Sequence, residues 1–344
     1  MRRRYLNLAA VAFTGFTLFL LGWIFVYQES TAVSRARYNQ MSGIERLRYY
    51  NERLEEENEK LKSSLRITVP KGVGEKNISV SKDFVKCTLS VSIPRANELF
   101  LYKNPIVGSS NNVKDIIVES DDDSLNVEIT MDKAMEPELT FEDQYMYIKF
   151  RDPHEIYDKI VVIDAGHGGS DPGTIAEDVY ESDIDLAIAG YLRDYLEASG
   201  VHVYMTRSVD TNVTLESRVN LANSVKADAF ISVHCNSARY KNQTYSGTQL
   251  LFNDQDESKA SLELAKLCME GVTQYFGSER LITRAGNDIY IVRNSNVPVA
   301  LVEVGFLSNK DELAKLTNPE YQKKAAQGLA SAVSKAYLQG VIHG

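Results

Sequence analysis

The fold of the second half of the chain is decided at residues 160–169, which read IVVIDAGHGG. Four consecutive β-branched residues predict a short buried strand at 160–163. The glycines around His167 then predict a tight turn in which the backbone can approach its neighbours closely. The strand therefore leads into a loop that carries Asp164 and His167.

Downstream of this loop, strand and helix patterns alternate. The predicted strands are 201–205, 229–233, 248–252 and 299–304, and the predicted helices are 184–198, 215–224, 258–275 and 321–338. Such alternation is typical of an α/β domain. We expect a catalytic domain at 158–341 with a central mixed or mostly parallel sheet flanked by helices.

Three polar residues lie where these strands end. In open α/β sheets the ligand site lies beyond the carboxyl ends of the strands. Strand 160–163 leads to His167, strand 229–233 ends at His234, and Glu303 lies in the apolar strand 299–304. Of the other three histidines, two lie in a linker and in the tail and one lies early in a strand, namely His154, His343 and His202. We therefore expect His167, His234 and Glu303 at one edge.

This set of side chains suits a catalytic zinc ion, which needs three protein ligands and an open position. Glu181 lies just before helix 184–198, where it could fold back over the site. Zinc would polarise a carbonyl and activate water, and a second carboxylate would take the proton. Glu303 fits that second role, because a charge in an apolar strand persists only when it is paired or bound.

Structural alternatives exist for each residue. His167 could make a hydrogen bond that stabilises its loop, and His234 could be a satisfied core histidine. Glu303 could form an ion pair with Arg207 or Arg293. The joint position of the three residues at strand ends favours the site.

Residues 160–340 resemble the zinc-dependent N-acetylmuramoyl-L-alanine amidases, the bacterial cell-wall hydrolases of the amidase-3 type. The resemblance rests on blocks in this order: Val162–Gly169 with Asp171-Pro172-Gly173, Glu181 with Asp185–Ile188, Met205-Thr206-Arg207, Leu215 with Arg218 and Ala222-Asn223, Ile231–Asn236, and Val302–Asn309. The segment Thr174–Tyr180 departs from the commoner wording of the family.

The resemblance implies zinc as the cofactor, peptidoglycan as the substrate, and hydrolysis of the amide between N-acetylmuramic acid and L-alanine. It implies that the metal is held by His167, Glu181 and His234 and that Glu303 is the catalytic glutamate. Three further positions are candidates to contact the substrate or support the ligands: Asn236, Arg218 and Asp164. Arg218 could equally be a structural ion-pair partner.

The N-terminal region, residues 1–28, reads as a membrane anchor. Leu8–Tyr27 is a run of 20 residues without a charge, long enough as a helix to span a bilayer core. Three arginines precede it, which predicts a cytoplasmic N-terminus, a single membrane pass and an extracytoplasmic catalytic domain. A cleaved signal peptide is the alternative, with small residues at Ser30-Thr31-Ala32.

Residues 37–67 predict a coiled-coil stalk, and residues 78–152 predict a small all-β domain. The heptad seam consists of Ile44, Leu47, Asn51, Leu54, Asn58, Leu61 and Leu65. A second copy of the chain, or a coiled-coil partner of the division or sporulation machinery, would pair with it; a solvated single helix is the alternative. Alternating apolar residues favour a sandwich in the β domain, which would act as a wall-targeting or regulatory module.

Composition narrows the functions further. The formal net charge of −9 argues against a nucleic-acid partner. Three cysteines with no metal-site spacing predict buried free thiols. Two other functions remain open: another zinc amidohydrolase resembling a carboxypeptidase, and a catalytically silent scaffold that acts through its coil.

Overall fold

The computed structural model describes residues 52, 55–121, 123–238, 245–278 and 281–344. The predicted anchor and most of the predicted stalk lie outside these residues. Within them, no helix combines the length and the apolar character needed to cross a membrane. Residues 1–62 and 63–344 are two separate units, and the second contains both the β domain and the catalytic domain.

The β domain is a sandwich of two four-stranded antiparallel sheets, ordered β4-β1-β8-β7 and β2-β3-β6-β5. Its strands are β1 Ser64–Thr68, β2 Ser79–Asp83, β3 Thr88–Pro94, β4 Val107–Gly108, β5 Val113–Ser120, β6 Ser124–Met131, β7 Glu136–Glu142 and β8 Tyr145–Arg151, with one helix, α1 Glu98–Lys103. Apolar residues of both sheets, such as Ile67, Val91 and Ile148, share one buried core.

The predicted stalk is wrong at its C-terminal end. Helical backbone at 55–61 stops before Ser64, and Ser64–Thr68 is the strand β1. The reason is a change of period: Leu65, Ile67 and Val69 are buried and alternate with polar residues, which is a strand pattern. The β domain therefore begins at residue 64 rather than 78.

The catalytic domain is built around a six-stranded sheet. The strands of the domain are β9 Ile160–Ala165, β10 Ile175–Ala176, β11 Val179–Tyr180, β12 His202–Met205, β13 Ala229–Asn236, β14 Thr248–Phe252, β15 Leu281–Ala285 and β16 Val299–Phe306, and all except β10 and β11 belong to the six-stranded sheet. Its helices are α2 Glu181–Ala198, α3 Leu215–Ser224, α4 Ala260–Phe276, α5 Tyr290–Asn294, α6 Lys310–Leu316 and α7 Pro319–Leu338. Strands β10 and β11 form a separate small hairpin.

The central sheet has the order β12-β9-β13-β16-β14-β15. The first four strands are parallel, whereas β14 runs antiparallel to β16, so the sheet is mixed and mostly parallel, as predicted. Helices α2, α4 and α7 cover one face with residues such as Leu192, Leu264 and Leu329. Helix α3 and part of the β domain cover the other face, where the Phe84 ring packs edge-on against Tyr204 with ring centroids 4.8 Å apart. Apolar side chains therefore cover both faces of the sheet.

Candidate active site

Two of the predicted residues are direct neighbours on parallel strands. His234 on β13 and Glu303 on β16 are register partners, so their side chains lie side by side on the same face of the sheet. Strand β13 continues to Asn236, so His234 lies inside the strand and not after it. On the other side of Glu303, Gln249 of β14 occupies the opposite register position.

Glu181 is brought to the same place by helix α2. The helix begins at Glu181 itself, three residues earlier than predicted, because the preceding hairpin delivers the chain directly into the first helical turn. The carboxylate accepts hydrogen bonds from the backbone N–H of Thr174 at 2.8 Å and of Cys235 at 3.1 Å. An acidic residue in the first turn is also favoured by the helix dipole. Glu181 is therefore fixed at both oxygens.

The two imidazoles converge on this carboxylate. Oε1 of Glu181 lies 3.1 Å from Nε2 of His167 and 3.3 Å from Nδ1 of His234. Zinc–ligand bonds of ~2.1 Å in tetrahedral geometry separate neighbouring ligand atoms by roughly 3.4 Å. The ligand atoms of His167, Glu181, Asp185 and His234 all lie within 4.8 Å of one another. The donor types and spacing fit a zinc ion.

His167 is held in an uncommon backbone conformation. Its φ of 57° lies in the left-handed region, which is rare for a residue with a side chain and is maintained only by its surroundings. Nδ1 of its ring is bonded to Oδ2 of Asp171 at 2.8 Å. That contact orients the ring and leaves Nε2 facing Glu181.

Two arginine side chains hold the loop that carries His167 through hydrogen bonds to its backbone. Arg218 donates to the carbonyl oxygen of His167 at 2.6 Å, and Arg207 donates to that of Gly166 at 2.6 Å. Arg218 also forms a buried ion pair with Asp164 at 2.6 Å. Arg218 and Asp164 therefore lie beneath the ligands as structural partners.

Asp164 is completely satisfied in this position. Thr206 and Ser232 donate to its two oxygens at 2.6 and 2.7 Å, in addition to Arg218. Burial would raise the pKa of Asp164, but the positive charges of Arg218 and His234 and the hydrogen bonds from Thr206 and Ser232 together hold that pKa below its usual value. This carboxylate anchors the loop.

Glycines allow the ligands to approach closely. A Cβ at Gly173 would lie 2.7 Å from both Oε2 of Glu181 and Cδ2 of His167. A Cβ at Gly166 would lie 2.3 Å from Cε1 of His234. Glycine at positions 166 and 173 thus leaves the space that the ligand side chains need.

The pKa values of His167 and Glu181 show that negative charge dominates at the point where the ligand side chains meet, which favours a bound cation. Burial would lower the pKa of His167, but the carboxylates of Glu181 and Asp171 outweigh it and raise that pKa to about 9. Burial would raise the pKa of Glu181, but hydrogen bonds from His167 and His234 hold it well below its usual range. Because a metal binds the deprotonated imidazole nitrogen, metal binding would release a proton from His167.

Two carboxyl groups at the site remain without partners. Oε2 of Glu303 and both carboxyl oxygens of Asp185 are buried and accept no hydrogen bond from the part of the chain that the structure describes. Burial raises the pKa of Glu303, and burial with the charges of Glu181 and Glu303 raises that of Asp185. The alternative ion pair of Glu303 with Arg207 is not formed, because Arg207 binds backbone carbonyls.

The side chain of Asn236 is turned to its own neighbours. Its Nδ2 donates to Oε1 of Gln249 at 2.9 Å, and its Oδ1 accepts from the N–H of Ser237 at 2.8 Å. Asn236 therefore positions Gln249 beside Glu303.

Sequence reasoning missed three residues of this region. Gln249 carried no signal, since polar residues are common in strands. Asp171 belonged to a quoted block without a role. Asp185 follows Glu181 by four residues, a spacing that becomes informative only when the helix is known to begin at Glu181.

A family model described as N-acetylmuramoyl-L-alanine amidase matches residues 161–335, just over half of the chain. The chain belongs to this family. Members of the family are peptidoglycan hydrolases, typically zinc-dependent, and the chain is an enzyme of that class.

Individual relatives each match about half of the chain. The uncharacterized protein YqiI of Bacillus subtilis (strain 168) is 35% identical over 182 residues, which cover 53% of this chain and 86% of the relative. The germination-specific N-acetylmuramoyl-L-alanine amidase of the same organism is 31% identical over 195 residues, covering 53% and 81%. The solved catalytic domain of the amidase CwlV from Bacillus (Paenibacillus) polymyxa is 34% identical, with a TM-score of 0.48 and coverage of 53% and 98%.

Proposed function

We propose that this chain hydrolyses the amide bond between N-acetylmuramic acid and L-alanine of the stem peptide, with zinc held by His167, Glu181 and His234. The observation that carries the proposal is the convergence of these three side chains on one point, with Glu303 beside His234. Membership of the amidase family supports the choice of bond.

Zinc, when bound, polarises the scissile carbonyl and activates the attacking water. Glu303 takes the proton of that water at Oε2 and passes it to the leaving amide nitrogen. Its raised pKa, caused by burial, suits a group that must hold a proton between the two transfers. Asp171 keeps Nε2 of His167 aimed at the site, and Arg218 holds the backbone of His167 in place.

The products of digestion test this function. Residues 63–344, which keep strand β1, would be incubated with purified muropeptides with and without a chelator, and the products analysed by mass spectrometry. We expect intact stem peptides and free glycan in the absence of chelator only. Release of single amino acids would instead favour a carboxypeptidase-like zinc hydrolase.

We also propose that residues 8–27 anchor the chain and that the catalytic domain faces the cell wall. The uncharged run and the arginines before it support this orientation. A C-terminal tag should be digested by external protease in intact protoplasts, while a cytoplasmic marker survives. A tag that is protected until lysis would contradict the orientation.

A further inference from the structure

Helix α2 presents a second carboxylate to the metal site. Glu181 and Asp185 are four residues apart and therefore lie on the same face of the helix, one turn apart. The same spacing places two metal ligands on one face in helical zinc motifs. Asp183, between them in sequence, is exposed on another side.

The carboxyl group of Asp185 is buried but lacks a strong hydrogen-bond donor. Its side chain is 0% exposed, and neither oxygen accepts a hydrogen bond from the residues of the described ranges. The Cys235 thiol lies beside it, but a thiol is only a weak donor. A buried carboxyl group in this condition is costly unless it binds something.

The distances bring Asp185 within reach of the metal. Its Oδ2 lies 3.9 Å from Nδ1 of His234, and the four ligand atoms lie within 4.8 Å of one another. With zinc–ligand distances of ~2.1 Å, no two ligand atoms of one ion can be more than ~4.2 Å apart. A movement of roughly half an ångström would bring all four atoms onto one ion.

The absence of a side chain at Gly166 leaves room for Asp185 and His234 to approach each other. A Cβ at Gly166 would lie 2.7 Å from Oδ2 of Asp185 and 2.5 Å from Nδ1 of His234. A side chain at position 166 would therefore fill the gap in which these two groups meet.

We propose that Asp185 is a fourth protein ligand, which binds through Oδ2 the metal held by His167, Glu181 and His234. The ion would then be five-coordinate, as catalytic zinc can be, so that one position stays open for water or substrate. This inference rests on the proposed function. Two imidazoles and two carboxylates form a donor set whose charge balances a divalent cation. It contains one carboxylate more than the His₂Glu set expected from the sequence.

The test compares Asp185→Asn, which keeps the shape of the side chain, with the matched control Asp183→Asn on the same helix. In the full chain purified in detergent, zinc affinity would be measured by competition with a chelator. Cobalt-substituted protein would be examined by visible absorption, whose intensity rises when the coordination number falls. Thermal unfolding of the metal-free proteins completes the set.

For Asp185→Asn we expect a loss of zinc affinity greater than the ~10–100-fold typical of residues that merely support a ligand. The cobalt absorption should intensify, and the metal-free variant should be at least as stable as the wild type, because an unpartnered carboxyl has been removed. Asp183→Asn should change none of these measurements.

Four results would overturn the inference. Wild-type zinc affinity and an unchanged cobalt spectrum in Asp185→Asn would exclude a metal bond, while leaving the amidase function intact. Lower affinity with an unchanged spectrum would make Asp185 a positioning residue for His234. A clear loss of stability in the metal-free variant would make it a structural acid. Failure of the wild-type chain to bind zinc at all would refute the proposed function as well.

Discussion

Asp164 and Asp185 are both 0% exposed and both lie under the same loop, yet their surroundings are opposite. Asp164 accepts bonds from Arg218, Thr206 and Ser232. Asp185 has only the weakly donating Cys235 thiol beside it and accepts no bond from a nitrogen or oxygen donor of the described chain. Burial alone therefore does not distinguish the roles of the two residues. The hydrogen-bond donors around them do: Asp164 is fully bonded and structural, whereas Asp185 is left to bind a ligand.

Glu303 belongs with Asp185 in this comparison, and its removal should have the largest effect. Glu303→Gln should lower the turnover of muropeptides by ~10²–10⁴-fold, the range for loss of general acid–base catalysis. Zinc content should be unchanged, because Glu303 is not a ligand in the proposed site. Parallel assays of turnover and bound zinc check this prediction. An equal loss of metal would contradict the role assigned to Glu303.

Removing the ion-pair partner of Asp164 should reduce the stability of the fold. Arg218→Met would leave the Asp164 carboxylate buried without its cation, which should reduce the free energy of unfolding by about 3–5 kcal/mol. The control is Arg193→Met, which breaks the exposed pair with Asp194 and should change it by about 0–1 kcal/mol. Denaturant unfolding of residues 63–344 measures the free energy of unfolding of both variants. Equal losses would show that the buried Arg218–Asp164 pair contributes no more stability than the exposed Arg193–Asp194 pair.

Asp171 should have an intermediate effect on the metal. Asp171→Asn weakens the contact that orients His167, so zinc affinity should fall by about 10–100-fold without loss of the fold. Exposed Asp178, mutated to Asn, serves as the control. Chelator competition gives the affinities. If the two variants bind zinc equally, Asp171 does not orient the ring.

The smallest expected effect is a pH dependence of the metal-free protein. His167 has a pKa of about 9 in the fold, above its ordinary value near 6.5. The raised pKa contributes stability that is fully present below pH 6.5 and is lost as pH rises through 9. Thermal unfolding with a chelator should show this decline, and His167→Asn should not. A decline of equal size in the variant would assign the effect to another group.

The sequence alone predicted much of the architecture. The apolar runs at 160–163 and 299–304 marked inner strands correctly, because strands covered on both faces tolerate few polar residues. It also drew attention to His167, His234 and Glu303, whose polar side chains stand out against those strands. The structure brings these three together with Glu181.

What escaped prediction depended on tertiary context. Leu65 fitted a heptad as well as a strand, and only pairing with β8 decides between them. Likewise, the meaning of Asp185 depends on where α2 begins and on which donors surround it. Periodicity carries neither kind of information.

If the proposed N-terminal anchor tethers this enzyme, strand β1 has a mechanical consequence. It lies between β4 and β8 and shares five register pairs with β8. Tension arriving along the chain from before Ser64 would enter the fold at the first residue of this inner strand. A pull along its axis must shear these pairs together, which resists force far better than opening them one at a time. In the proposed anchored chain, β1 would therefore resist a pull between the N-terminal tether and the bound substrate.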